Sequence, residues 1–303
     1  MDIGATNIRV ASGDENGLES KLQEQTDKLH GSAGVAKQII RLIKQLKIES
    51  EAIGIGSIGP LNDSEGTITN TPNYPFKNIP IVNPLREEFG IPVNLLNDCA
   101  AAVIGERRFG AGKGLENIFY VTISTGLGGG AIVDGNLLKG KDGNAPEIGH
   151  MVIDPWSEIV CGCGCKGHWE AFSSGSNIPG YARYIIKKRG ITESDLFNVA
   201  GPDLSGLTAE KLFSVAKMGD NTAEMIVSEI GEVNAVGFAD IVNAFDPELI
   251  TVGGSVVLNN VDLIMNPIRE KVGKYLINRR PSIMVTPLGG DAVLLGALTS
   301  CLT

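Results

Sequence analysis

Apolar positions along the chain follow two different periods, and the alternation between them outlines the architecture. Val35, Ile39, Ile40, Ile43 and Leu46 recur at helical spacing, which predicts a helix over 34–46. A short apolar run at 52–58 ends in Gly59-Pro60 and predicts a buried strand followed by a turn. Residues 93–96 predict another strand, and Asp98 stands where it would cap an alanine-rich helix over 99–107. Strands are expected at 118–123 and 130–133, paired across a glycine turn. Helices follow at 207–218 and 222–243, then a strand at 248–252 and helices at 261–276 and 292–302. Strands alternating with helices imply an α/β protein with largely parallel pairing. The plan occurs twice, before and after residue 112, which suggests two domains with a central cleft.

Composition narrows the class. The chain has 303 residues, 43% of them hydrophobic, enough for a substantial core. It contains no run of eighteen apolar residues and opens without a basic-then-apolar leader, so a cytoplasmic protein with no membrane partner is expected. A formal net charge of -9 makes nucleic acid a poor electrostatic match.

Candidate chemistry lies in glycine turns and in one cysteine-rich stretch. Gly54-Ile-Gly56-Ser-Ile-Gly59 matches a dinucleotide fingerprint, but a loop follows it where the fingerprint requires a helix. Gly110-Ala-Gly-Lys113-Gly lacks the Ser or Thr of a P-loop. More persuasive are Asp2-Ile-Gly4-Ala5-Thr6-Asn7, Ser124-Thr125-Gly126-Leu-Gly128-Gly129-Gly130 and Gly253-Gly254-Ser255, each beside a strand. Turns of this kind aim backbone N–H groups at a phosphate, although each alone also reads as an ordinary turn. The stretch EIGHMVIDPWSEIVCGCGCKGHWE, residues 147–170, holds three of the five cysteines and two of the three histidines. Its Cys-x-Cys-x-Cys spacing is not the redox Cys-x-x-Cys. A metal site, part of a catalytic pocket and a group of unligated thiols stay open on spacing alone.

Taken together these motifs resemble a known family. Asp2–Asn7, Leu96-Asn97-Asp98-Cys-Ala-Ala-Ala, Ser124–Gly130 and Gly253-Gly254 look like the phosphate loops, connecting helix and adenosine motif of the actin-like ATPase superfamily. Glu147-Ile-Gly-His150 followed by Cys161-Gly-Cys163-Gly-Cys-Lys-Gly-His168-Trp-Glu170 resembles the signature of the ROK family of repressors, open reading frames and kinases. The resemblance implies a two-domain actin-like ATPase (ribonuclease H-like) fold. The small domain would be 1–112 plus 290–303. The large domain, 113–289, would carry the zinc loop and the dimerisation surface. The implied activity is an ATP-dependent sugar kinase acting on the 6-hydroxyl of glucose or an N-acetylhexosamine such as N-acetylmannosamine. The implied assembly is a homodimer or dimer-based tetramer.

Roles follow residue by residue from the same resemblance. Asp98 matches the catalytic base, and Asn73, Asn97, Glu147, His150 and Glu170 match sugar contacts. Asp2, Gly4, Ala5, Thr6, Asn7, Thr125, Gly126, Gly128, Gly253 and Gly254 match the nucleotide site, with Mg²⁺ taking Asp2. His150, Cys161, Cys163 and His168 fall on the four positions of a structural zinc. The family usually has cysteine where His168 stands, and Cys165 is an extra thiol that offers an alternative fourth ligand. Only Met1 precedes Asp2, where the family has an apolar strand. A transferred phosphoryl group needs positioning and charge stabilisation, and a neutral sugar hydroxyl needs a carboxylate to take its proton. The rival classes are a sugar-responsive regulator, for which no helix-turn-helix precedes Asp2, and a non-catalytic sugar-binding protein, which would be expected to lack Asp98 or the glycine turns.

Overall fold

In the computed structural model, residues 1–71 and 75–302 are described. In chain order the first elements are β1 (Asp2–Ile3), β2 (Asn7–Asp14), β3 (Gly17–Gln25), α1 (Ser32–Leu46), β4 (Ile53–Ser57), β5 (Leu61–Asn62), β6 (Thr67–Asn70), β7 (Lys77–Pro80), α2 (Val82–Phe89), β8 (Val93–Asn97) and α3 (Asp98–Arg108). Then come β9 (Ile118–Ile123), β10 (Leu127–Val133), β11 (Asn136–Leu137), α4 (Glu170–Ser173), α5 (Ile178–Arg189), α6 (Asp195–Ala200), α7 (Ala209–Lys217) and α8 (Asn221–Phe245). β12 (Leu249–Gly253), α9 (Ser255–Asn259), α10 (Val261–Lys271), β13 (Ser282–Val285) and α11 (Ala292–Thr299) complete the chain. Among the described residues, no helix is long and apolar enough to cross a membrane.

The strands form two five-stranded sheets, ordered β3-β2-β1-β4-β8 and β11-β10-β9-β12-β13, and a small sheet β5-β6-β7. The expectation of largely parallel pairing needs correction. β1 pairs in parallel with β4, and β4 with β8, but β3, β2 and β1 form an antiparallel meander. β12 and β13 are parallel, while β10 and β11 form a hairpin. The meander escapes a periodicity reading because β3, GLESKLQEQ, is a solvated edge with no buried residue. α2, α5, α6 and β13 are likewise elements that the pattern analysis does not include.

The chain divides into two compact units. One comprises Met1–Tyr120, Gly130–Pro146 and Thr286–Thr303; the other comprises Val121–Gly129 and Glu147–Val285. The first unit therefore includes Gly130–Pro146, beyond the boundary near residue 112 that the sequence pattern suggests. Its core gathers Ile3, Ile8, Val10, Ile39, Ile55 and Ile79, all buried. α1 contributes Val35, Ile39, Leu42 and Ile43 to it, at the spacing that predicts the helix.

Glycines allow β4, α3 and α11 to pack backbone against backbone. A Cβ at Gly54 would lie 1.8 Å from the Ala297 carbonyl oxygen, and one at Gly296 would lie 1.6 Å from that of Ala101. Gly56 instead leaves room for a side chain, since a Cβ there would lie 2.4 Å from the Val293 Cγ1 methyl. The glycines of the dinucleotide-like pattern thus serve helix packing, and a loop follows them, with no helix N-terminus to receive a phosphate. At the far end of α3 the Glu106 carboxylate is buried, and burial raises its pKa. It accepts hydrogen bonds from the Thr286 hydroxyl and from the Ala111 N–H, the latter at 3.1 Å, pinning the exit turn of the helix.

One prediction follows for this packing. Gly54→Val should cost at least about 1–3 kcal/mol, the usual range for overpacking a filled core. Thermal unfolding of the variant beside the wild-type protein measures the loss.

Candidate active site and metal centre

The Asn97-Asp98 pair sits where β8 becomes α3. Asn97, not Asp98, is the N-cap: its side-chain oxygen accepts from the Cys99 N–H at 2.9 Å and the Ala100 N–H at 3.4 Å. The expected capping role of Asp98 is corrected accordingly. Asp98 is the first helical residue, half-buried, with one carboxylate oxygen 2.8 Å from the Cys99 nitrogen. A helix N-terminus favours a negative charge at that place. Asn73 lies outside the described residues.

The first glycine loop closes the β1–β2 turn. The Gly4 N–H donates to the Asn7 carbonyl at 2.9 Å, and the Thr26 hydroxyl donates to the Gly4 carbonyl at 2.7 Å. Thr6 is exposed at its tip, beside half-buried Ala5. The Asp2 carboxylate, the expected magnesium ligand, is paired with the Arg9 guanidinium, whose Nε lies 2.8 Å away. The first strand, in spite of its two residues, is seated on β4 at Gly56 and Ser57.

Two further glycine loops are neighbours. The turn between β9 and β10 is shorter than the glycine run suggests, because β10 already begins at Leu127. Gly128, Gly129 and Gly130 are strand residues. Gly130 is demanded by packing, since a Cβ there would lie 2.1 Å from the Cys99 carbonyl oxygen. Thr125 is exposed at the tip of the turn, beside Gly126, and its carbonyl accepts from the Ser176 hydroxyl at 2.7 Å. The Ser124 and Ser255 hydroxyls are 3.0 Å apart, which joins this turn to Gly253-Gly254-Ser255. Gly254 has φ 91°, and a Cβ there would lie 2.4 Å from the Ile123 carbonyl, so only glycine fits. Hydroxyls from two strand ends therefore meet beside two glycine turns, the kind of place where an anion can be held.

The cysteine-rich stretch folds as a knot of short antiparallel bridges, Val152 with His168 and Val160 with Lys166. His150, Cys161, Cys163 and His168 place one ligand atom each within 4.8 Å of one another. The two histidine Nδ1 atoms are 3.3 Å apart, Cys163 Sγ is 3.3 Å from His168 Nδ1, and Cys161 Sγ is 3.9 Å from His150 Nδ1. Around a tetrahedral zinc at ordinary bond lengths, two nitrogens stand about 3.3 Å apart and a nitrogen and a sulfur about 3.6 Å. The donor set fits a closed N₂S₂ site. His168 occupies its fourth place, and exposed Cys165 is not in the quartet. In the protein alone, burial pushes the Cys161 thiol up to about 12, with the Glu170 charge adding to the rise, so its thiolate form calls for a cation. Burial also lowers the pKa of His168, which favours the neutral imidazole that binds metals.

Glu147 and Glu170 flank this knot. Glu147 precedes the single 3₁₀ turn Ile148–His150, which rests on β10 so closely that a Cβ at Gly149 would lie 2.1 Å from the Leu127 carbonyl oxygen. Although the Glu147 residue is exposed, the protein around its carboxyl raises its pKa; His150 opposes the rise and Glu170 adds to it. Glu170 opens α4. One of its oxygens accepts the Leu127 N–H at 2.9 Å, and the other lies 3.5 Å from Cys161 Sγ. It thus links the metal quartet to the strand that follows the Thr125 turn.

Sequence reasoning missed the anchor of this assembly, Trp169. It is fully buried, its indole N–H donates to Asn234 at 2.9 Å, and its ring meets Phe238 edge to face. Gly237 of α8 makes room for it, since a Cβ there would lie 2.4 Å from the ring. The signal available was a lone tryptophan between His168 and Glu170, together with a glycine inside a long helix.

Comparison with known proteins supplies the relationship. The ROK family model matches residues 1–301. The glucokinase of Pyrobaculum calidifontis is 38% identical over 297 residues, covering 98% of this chain and 92% of that protein. Among solved structures, a ROK family glucokinase from Streptomyces griseus in complex with glucose and AMPPNP superposes with a TM-score of 0.79 at 30% identity, covering 98% of this chain and 96% of that one. The ROK hexokinase from Thermus thermophilus gives a TM-score of 0.81 at 33% identity, covering 98% and 95%. With the family model spanning nearly its full length, the chain belongs to the ROK family and has its actin-like ATPase fold.

Proposed function

We propose that the protein is an ATP-dependent sugar kinase that transfers the γ-phosphoryl group of ATP to the 6-hydroxyl of a hexose, with glucose as the first candidate. The observation that carries this reading is the Asn97-Asp98 pair. Asn97 caps the helix, and Asp98, its first residue, places a carboxylate at the helix start. Support for glucose comes from the relatives named glucokinase, N-acetylmannosamine being the runner-up.

In this mechanism Asp98 accepts the proton of the sugar hydroxyl as its oxygen attacks the γ-phosphorus. Asn97, Glu147, His150 and Glu170 orient the sugar, the carboxylates making the stronger hydrogen bonds. Gly4, Ala5, Thr6 and Asn7, with Thr125, Gly126 and Gly128, hold the phosphates, and Gly253 and Gly254 hold the adenosine side. Magnesium would neutralise the developing phosphate charge, and Asp2 is its candidate carboxylate once released from Arg9. His150, Cys161, Cys163 and His168 would hold a structural zinc that orders the loop bearing the two glutamates. His150 Nδ1 lies among the candidate ligand atoms, so Nε2 would remain available to a sugar hydroxyl and one imidazole would serve both roles.

Two measurements check this reading. In a coupled ADP-release assay across glucose, N-acetylmannosamine and N-acetylglucosamine, glucose should stimulate ATP turnover most. Asp98→Asn should lower kcat by about a hundredfold to ten-thousandfold with little change in KM. A protein that no sugar stimulates is not a kinase of this kind. For the metal, elemental analysis should find about one zinc per chain in the wild-type protein and less than about half as much in His168→Ala.

A further inference from the structure

The metal quartet leaves one thiol over. Cys165 is exposed and is not in the quartet, and it stands two residues from Cys163, the exposed ligand. The remaining sulfur of the centre, Cys161, is buried. A tight turn holds the three together: the Gly164 N–H donates to the Cys161 carbonyl at 2.8 Å, and the Cys161 N–H donates to the Cys165 carbonyl at 2.8 Å. Gly164, between Cys163 and Cys165, has φ 92°, the left-handed conformation that lets this turn close tightly between the two cysteines. Residues two apart span at most about 7 Å between Cα atoms, which overlaps the range a disulfide requires.

We propose that Cys163 and Cys165 form an oxidation site, in which a hydroperoxide couples them as a disulfide and opens the metal centre. The inference rests on the metal reading of the quartet. A metal-bound cysteine is a thiolate, and the thiolate is the nucleophilic form. Of the two ligand sulfurs, Cys163 is the one a peroxide in solution reaches. Its sulfur attacks one peroxide oxygen, the O–O bond breaks, and Cys163 becomes a sulfenic acid while hydroxide leaves. The Cys165 thiol then attacks the Cys163 sulfur. The S–S bond forms, the S–O bond breaks, and the thiol proton leaves with the hydroxyl as water. Two electrons pass from the two sulfurs to the peroxide. The quartet is left with His150, Cys161 and His168, one ligand short of a closed site. The loss falls next to Glu170, which touches Cys161. A disulfide closed across one intervening residue is strained and easily reduced, so thiol reductant with zinc restores the centre. Of the two cysteines outside the stretch, Cys99 is buried and Cys301 is half-buried.

The test treats full-length, zinc-loaded protein with hydrogen peroxide. Zinc release is followed with a colorimetric chelator, free thiols are titrated, and the disulfide is located by peptide mass spectrometry. Wild-type protein should lose two of its five thiols and release zinc together, with Cys163 linked to Cys165. Cys165→Ser should hold zinc like the wild type before treatment and release it at least about tenfold more slowly, because the sulfenic acid lacks a resolving thiol. Equal release rates in the two proteins, a Cys161–Cys163 disulfide, or zinc retained by oxidised wild type would overturn the inference and leave the metal reading intact. Zinc missing from untreated Cys165→Ser would make Cys165 a ligand and overturn it too. Protein isolated without zinc would overturn both readings together.

Discussion

The indole of Trp169 is the fixed point on which the candidate sugar side depends. Around it the stretch from Asp154 to Lys166 is largely exposed, with Trp156 89% accessible, so little hydrophobic burial holds it in shape. Trp169 is driven fully to the interior, where Asn234 satisfies its N–H and Gly237 yields the space its ring needs. The residue before it is a member of the metal quartet, and the residue after it is the glutamate that reaches Leu127. Three consecutive side chains thus couple a member of the Cys/His quartet, a core anchor and the carboxylate proposed to face the sugar, with no rotatable loop between them. A bound zinc would supply the cross-link that hydrophobic burial cannot, since structural metal binding adds directly to folding free energy.

The same economy operates in the first unit, by different means. There the glycines of β4, α3 and α11 allow main chains to touch, and helix ends are placed to within the tolerance of a backbone contact. The start of α3 inherits that precision. Asn97 is held in register by β4, and Asp98 is held by the helix that Asn97 caps. If Asp98 is the proton acceptor proposed above, it has lost most of its positional freedom before any substrate arrives, which is how positioning would contribute to phosphoryl transfer.

Much of this was legible in the sequence, and the illegible part has physical causes. The strand-end position of Asp98 could be read from the local pattern, whereas the quartet His150, Cys161, Cys163 and His168, which the structure brings together, came from the resemblance to the ROK family and not from spacing alone. The identity of the fourth metal-centre side chain was not readable, because choosing between Cys165 and His168 depends on a turn that only the folded backbone displays. Glycines misled where one residue type serves two needs. Gly128 to Gly130 resemble a longer phosphate turn but lie in β10, where contact with α3 excludes a side chain at Gly130. Edge strand β3 was invisible because it is largely solvated, with Leu22 its one apolar side chain packed on the core, too little for an apolar alternation to detect.

The central claim is that the metal centre orders the carboxylates that hold the sugar and leaves the nucleotide loops untouched. Calorimetric titration of glucose and of a non-hydrolysable ATP analogue, before and after removal of the metal by a chelator, tests it most directly. The account predicts that glucose affinity falls by about tenfold or more, the scale on which disturbing a metal site's surroundings acts, while the ATP analogue binds as before. Unchanged glucose affinity in metal-free protein, or an equal loss for both ligands, would contradict it.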